Sequence, residues 1–213
     1  MRADATGDTA ARGDRAAHGD TASGGATGGT AGNIATVDLH PSLLPLAFLV
    51  GTWRGEGVGG YEGMESFHYG QEITFAADGR PALGYVSHTW WADEPRDGRE
   101  PGSPLATETG FWRVQPPATE PGPDGKVNGS PVVEVMLAHP FGIAEIYVGT
   151  VTGTRIDLDS NVLIRTATAR EVTRSVRLYG LIEGGDLAYA IDMEAGGKPL
   201  QSHLSARLHR SPS

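Results

Sequence analysis

The sequence predicts an all-β protein, a ten-stranded antiparallel barrel with a short N-terminal helical cap. Three observations lead there. After residue 50 the chain breaks into about ten short segments of β-branched and aromatic residues, separated by Gly, Pro, Asp and Asn. No helical pattern of any length follows that point. Hairpin signals join neighbouring segments, at Asp78–Gly79–Arg80 within "ITFAADGRPALGYV" and at Gly184–Gly185 within "LIEGGDLAYAIDM". Closure into a barrel is favoured over a sandwich because it removes the edge strands on which chains aggregate. A barrel of this size leaves room for a ligand cavity.

In chain order, residues 1–38 are Ala, Gly, Thr and Asp with no aromatic residue, and only Ile34 and Val37 are large apolar groups. Such a segment cannot bury enough surface to offset its ordering entropy, so it is expected to be a disordered tail, with a docking arm as the functional alternative. The barrel domain is expected over 39–213. It starts at "LHPSLLPLAFLVGTW", whose leucines and Phe48 fit a one- or two-turn helix packed as a lid and stopped at Gly51. Strands are expected near 51–58, 66–76, 82–92, 105–115, 131–138, 143–151, 154–160, 166–180, 186–194 and 200–209. Two Pro/Gly-rich stretches, "ADEPRDGREPGSP" and "QPPATEPGPDGKVNGSP", read as surface loops.

Composition narrows the function. A net charge of −9 without clustered Lys or Arg argues against nucleic acid and anionic membrane as partners. With no cysteine, disulfides, thiolate metal sites and thioether-linked haem are excluded, so any metal must take N or O ligands. No secretory signal and no apolar run of about 18 residues occurs, and a cytoplasmic location is expected.

The motifs are first read architecturally. In "GTWRGEG", glycines relieve crowding where a barrel strand bends, and Trp53 plugs one end. A phosphate cradle is a poor alternative, since no helix and no Lys follow. The seven histidines are scattered, without the spacing of a multi-histidine metal site, and no G-x-S-x-G elbow supports a serine hydrolase. Glu72, Glu108, Glu134 and Glu145 lie within expected strands and could form a carboxylate pair, but barrel strands ordinarily point such groups to solvent. His203, in "PLQSHLSARLHR", poses a specific problem: alternation groups it with Ser205, Arg207 and His209, opposite the apolar Leu204, Ala206 and Leu208. Only a bulge, or a strand beginning after His203, would turn it inward.

Five segments together, "LPLAFLVGTWRGEG", "FHYGQEITF", "ETGFW", "AHPFGIAEIYVGT" and "DMEAGGKPLQSHLSARL", resemble the nitrobindin family of haem proteins across residues 41–210. The G-x-W-x-G-x-G motif is filled by Gly51, Trp53, Gly55 and Gly57, and the terminal P-L-x-x-H-L motif by Pro199, Leu200, His203 and Leu204. The resemblance implies a lipocalin- or fatty-acid-binding-protein-like barrel holding one ferric haem b per chain, with His203 as the proximal iron ligand and Leu105, Ala106 and Leu200 among the haem contacts. It also implies nitric oxide binding and isomerisation of peroxynitrite to nitrate. A homodimer is one assembly left open. Ala106 stands where some members carry a histidine on the open side of the iron, which leaves His139 or His88 as substitutes. Two other readings compete. One is a haem-independent carrier of a small apolar ligand such as a fatty acid, with Arg113, Arg174 or Arg177 inside the barrel. The other is a nitric oxide or haem sensor whose acidic tail engages a partner.

Overall fold

In the computed structural model, residues 38–93, 95, 98–116 and 129–212 are described. The expected tail falls outside them except for Asp38, whose carbonyl accepts the Gly79 N–H at 2.8 Å. Most of the loop expected between strands four and five also falls outside.

The cap is longer than expected and differently wound: Pro41–Leu49 form a nine-residue 3₁₀ helix. Its apolar spacing explains the winding. Leu43, Leu46 and Leu49 recur every third residue, and all three are fully buried, because side chains three apart eclipse at three residues per turn. Pro41 sits in the first turn, where its missing N–H is not needed, and the His40 side chain accepts from the Ser42 N–H at 3.2 Å.

Ten strands follow: β1 (Gly51–Tyr61), β2 (Met64–Ala76), β3 (Leu83–Trp91), β4 (Pro104–Val114), β5 (Val132–His139), β6 (Ile143–Thr152), β7 (Arg155–Arg165), β8 (Val172–Leu181), β9 (Leu187–Ala195) and β10 (Lys198–Arg210). Each pairs antiparallel with its sequence neighbour, and β1 pairs with β10 to close the barrel. One boundary differs from expectation. β7 runs on to Arg165, which pairs across to Ile143 at the start of β6, so residues 166–170 form the turn and β8 begins only at Val172.

Alternation gives the barrel an apolar inner face at the capped end. Trp53, Phe75, Leu83, Trp112, Val133, Val135, Ile156, Leu187 and Leu208 are buried there with the three cap leucines. Each such side chain contributes about 1.5–3 kcal/mol when fully buried. Trp53 closes this end, its indole N–H donating to the Leu49 carbonyl at 2.7 Å while the Arg210 guanidinium lies 4.1 Å over its ring. Arg210 also donates to the Phe48 carbonyl at 2.6 Å and to the Val50 carbonyl, which ties the last strand to the cap.

Glycines on the inner face of β1 let neighbouring rings cross it. A Cβ on Gly57 would meet the Tyr69 ring and the Ser205 carbonyl, and one on Gly59 would meet the Phe67 ring and Leu204. Gly55 lies against the β10 backbone at Arg207 and Leu208, and Gly51 opens the strand beside Arg210. The glycine motif is thus a packing device, with Tyr69 and Phe67 filling the volume it leaves.

Candidate functional site at the open end of the barrel

At the end opposite the cap the strand register departs from regular pairing. In the β9–β10 ladder Ser202 pairs with Asp192 and Leu204 with Ile191, so two steps along β10 answer one along β9 and His203 is the extra residue. This bulge resolves the alternation problem. It releases His203 from the outward phase of Ser205 and Arg207 and sets it, half-buried, beside Leu204 on the inner side.

The His203 ring is held in one tautomer. Its Nδ1 lies 3.0 Å from the Gly60 carbonyl oxygen, which can only accept, so Nδ1 carries the proton and Nε2 keeps its lone pair. Tyr61 packs edge-on against the ring, with centroids 5.8 Å apart, and the Tyr61 hydroxyl is itself fixed by the Ala195 N–H at 2.9 Å. Burial, assisted by the positive charge of Arg177, moves the imidazole pKa below its ordinary value even though the Gly60 hydrogen bond works the other way. The geometry therefore presents a neutral imidazole with one free nitrogen, oriented by a backbone carbonyl behind it. Metal-ligating histidines are ordinarily held by such a partner on the second nitrogen.

A second bulge sits across the mouth. In the β3–β4 ladder Thr89 pairs with Ala106 and Trp90 with Pro104, leaving Leu105 as the extra residue. Both Leu105 and Ala106 are half-buried. In the barrel order β4 is four strands from β10 one way and six the other, so this pair faces the His203 wall. Leu200 lies in a further irregularity between Lys198 and Gln201, half-buried on the same strand as His203. Phe67 and Trp91, with rings 5.2 Å apart, join this end of the interior. The residues expected around a cofactor thus gather at one end of the barrel, while Gly51, Trp53 and Gly55 belong to the capped half.

Below the mouth lies a feature the sequence did not disclose. Arg177, with a side chain 3 % exposed, donates to both oxygens of Glu108 at 2.9 Å, to Glu145 at 3.3 Å and to the Tyr147 hydroxyl at 2.8 Å. Glu108 also accepts from Tyr85 at 3.0 Å, and Glu145 from His139 Nε2 at 2.9 Å. Burial alone would raise the Glu108 carboxyl, but the charge and hydrogen bonds of Arg177 outweigh it and bring the pKa down to about 2. Glu145 is held below the usual carboxylate range by His139 and Arg177 in the same way, against its burial. The expectation that strand carboxylates point to solvent is therefore corrected for Glu108 and Glu145. Each carboxylate is turned inward by the same alternation that places Trp112 and Tyr147 inside. Beside this cluster Tyr69 and Tyr189 share a 2.6 Å hydrogen bond, and Tyr189 donates to Gln71 at 2.7 Å.

The other histidines separate cleanly. His88 is exposed on the outer face beside Thr107, and His68 is exposed and bound to Asp93, so neither reaches the mouth. His139 is inside. A groove of about 500 Å³ on the outer wall is flanked by Arg54, Trp90 and His209, whose Nδ1 is engaged by Asp186 at 2.7 Å.

Residues 42–210 match the protein-family profile described as "THAP4-like, heme-binding beta-barrel domain". The chain belongs to that family. Among relatives of this haem-binding barrel family, a protein of Parafrankia sp. (strain EAN1pec) named "Peroxynitrite isomerase" is 99 % identical over the whole length of both chains. A Kineococcus radiotolerans protein named "Ferric nitrobindin-like protein" is 47 % identical, over 81 % of this chain and 95 % of its own. Among solved structures, that titled "Crystal Structure of Rv2717c from M. tuberculosis" superposes with a TM-score of 0.65 at 40 % identity, covering 82 % of this chain and 100 % of the other.

Proposed function

We propose that this chain is a ferric haem b protein, one haem per chain, which isomerises peroxynitrite to nitrate and binds nitric oxide at the barrel mouth, with His203 as the proximal ligand. One observation carries the site: the Nδ1–H of His203 is spent on the Gly60 carbonyl, leaving Nε2 free at the mouth. The donor set suits haem iron, since one neutral imidazole in a half-apolar rim is what a b-type axial site requires and cysteine is absent. The names of the relatives support the reaction.

When bound at this site, haem would supply a ferric Lewis acid, the chemistry that isomerising peroxynitrite to nitrate calls for, without net redox change. The chain does the rest. His203 binds through Nε2, and the Gly60 carbonyl fixes the ring orientation and makes the imidazole a better donor. Leu105, Ala106 and Leu200 would supply apolar contacts to the bound group.

The carrier reading loses ground on Arg177. It is the expected arginine that lies inside, but Glu108 occupies it bidentately and Glu145 adds a second carboxylate, so an anionic lipid headgroup would meet surplus negative charge. Arg113 and Arg174 are exposed and paired with Glu134 and Asp159. The expected homodimer is supported by an outer-wall row of apolar side chains, Phe111, Met136, Ile146 and Val162, paired in register across β4 to β7. Among the described residues no helix is long and apolar enough to cross a membrane.

Rapid mixing of peroxynitrite with hemin-loaded protein tests the activity. Accelerated decay with nitrate as the product is expected, and decay no faster than with the hemin-free barrel would reject the isomerase reading.

A further inference from the structure

The buried cluster beneath the mouth has an unbalanced charge that one residue can settle. Glu108 and Glu145 are both held ionised, and among the described residues Arg177 is the single fixed cation facing them. The remaining member is His139 at the mouth end of β5, with a side chain only 6 % exposed. Its Nε2–H donates to Glu145, while Nδ1 lies 3.7 Å from Glu108 Oε1, where a second ring proton would point at a carboxylate. The groups facing this imidazole are Glu145 from β6 and Glu108 from β4, with Phe141 against the ring at 5.1 Å. Arg177 stands behind the two carboxylates with Tyr147, and Tyr85 completes the shell of Glu108. With His139 neutral the cluster carries one net negative charge; with His139 protonated it carries none.

That charge is felt at the site. Arg177 pairs with Ile191 on β9 and Ile191 with Leu204 on β10, so the cluster lies two strands, roughly 10 Å, from the residue that would hold the iron. Resting on the haem reading above, we propose that the His139–Glu145 pair sets the preference of the ferric site between anionic and neutral ligands. A neutral His139 leaves a negative floor that repels anions; a protonated one removes the repulsion and favours entry of an anion such as peroxynitrite. Neutral nitric oxide is indifferent to either state. The pair touches no reacting atom, so its role is to determine specificity through the field.

The test measures fluoride and nitric oxide affinities of the hemin-loaded ferric protein from the Soret band, between about pH 5 and about pH 9, for wild type, Glu145→Gln and His139→Gln. Glu145→Gln removes one negative charge and should tighten fluoride at the upper end of that range by roughly three- to thirty-fold, the effect of one unit charge across a protein interior. Nitric oxide affinity should stay unchanged. His139→Gln should hold fluoride at its weak, high-pH affinity throughout. Fluoride affinity altered by less than about two-fold in both variants, or fluoride and nitric oxide altered together, overturns the proposal. Failure of the wild-type barrel to take up hemin would instead defeat the haem reading beneath it, and shows at the first step.

Discussion

The two ends of this barrel are made from the same ten strands on opposite principles. At the capped end the ladders are regular, most inward side chains are large and apolar, and the cap, Trp53 and Arg210 close the volume. Toward the mouth lie the six register shifts found among the described residues, near residues 59–61, 89–90, 146–147, 172–174, 198–201 and 202–204. The contrast teaches where function can be written into such a fold. Regular alternation buries surface and stabilises, whereas each extra residue re-aims a side chain that alternation would have sent outward. His203 and Leu105 are both such residues.

This division can be broken or sharpened by substitution. The largest effect is expected at the capped end, where Trp53→Ala removes a fully buried ring and its hydrogen bond to Leu49, at a cost of about 4 kcal/mol in chemical denaturation. Next comes the charged layer. Glu108→Gln leaves Arg177 short of a partner and should cost about 3 kcal/mol near neutral pH.

The same residue gives a pH signature. Its folded pKa of about 2 lies below the ordinary 4.5, so its stabilisation is complete above about pH 4.5 and lost as pH falls toward 2. At about 1.36 kcal/mol per unit, roughly 3 kcal/mol should disappear over that window in wild type but not in Glu108→Gln. Acid denaturation followed by circular dichroism reads the difference. Gly57→Ala should cost about 2 kcal/mol, because its methyl group would collide with the Tyr69 ring and the Ser205 carbonyl. The smallest change in fold stability is expected for His203→Ala, below about 1 kcal/mol for the hemin-free barrel, since the half-buried ring gives up one hydrogen bond to a backbone carbonyl. Equal losses for Trp53→Ala and His203→Ala would erase the distinction between the two ends.

Much of the capped half was legible in the sequence. Period-two patterning and turn residues located all ten strands, because local alternation reports directly on which face is buried. The cap was legible as a lid but not as a 3₁₀ helix, although the three-residue spacing of Leu43, Leu46 and Leu49 carried that signal. The mouth was harder for a physical reason. A bulge has no local sequence signature, so His203 could be turned inward only by an insertion visible in the pairing with Asp192 and Ile191. The charged layer was harder still. Glu108 and Arg177 are 69 residues apart, and although alternation from Trp112 puts Glu108 on the inner face, nothing in either strand shows which cation would meet it across the barrel. Each was noticed singly, as a strand carboxylate and as a possible carrier arginine, but their meeting is a property of closure.

The most direct measurement is a hemin titration of the purified protein followed in the Soret band, run beside His203→Ala. A sharp band saturating at one hemin per chain, and lost in the variant while the barrel stays folded, is the expected result. An unchanged band in His203→Ala would contradict the assignment of the ligand, and a flat titration in wild type would contradict the haem site altogether.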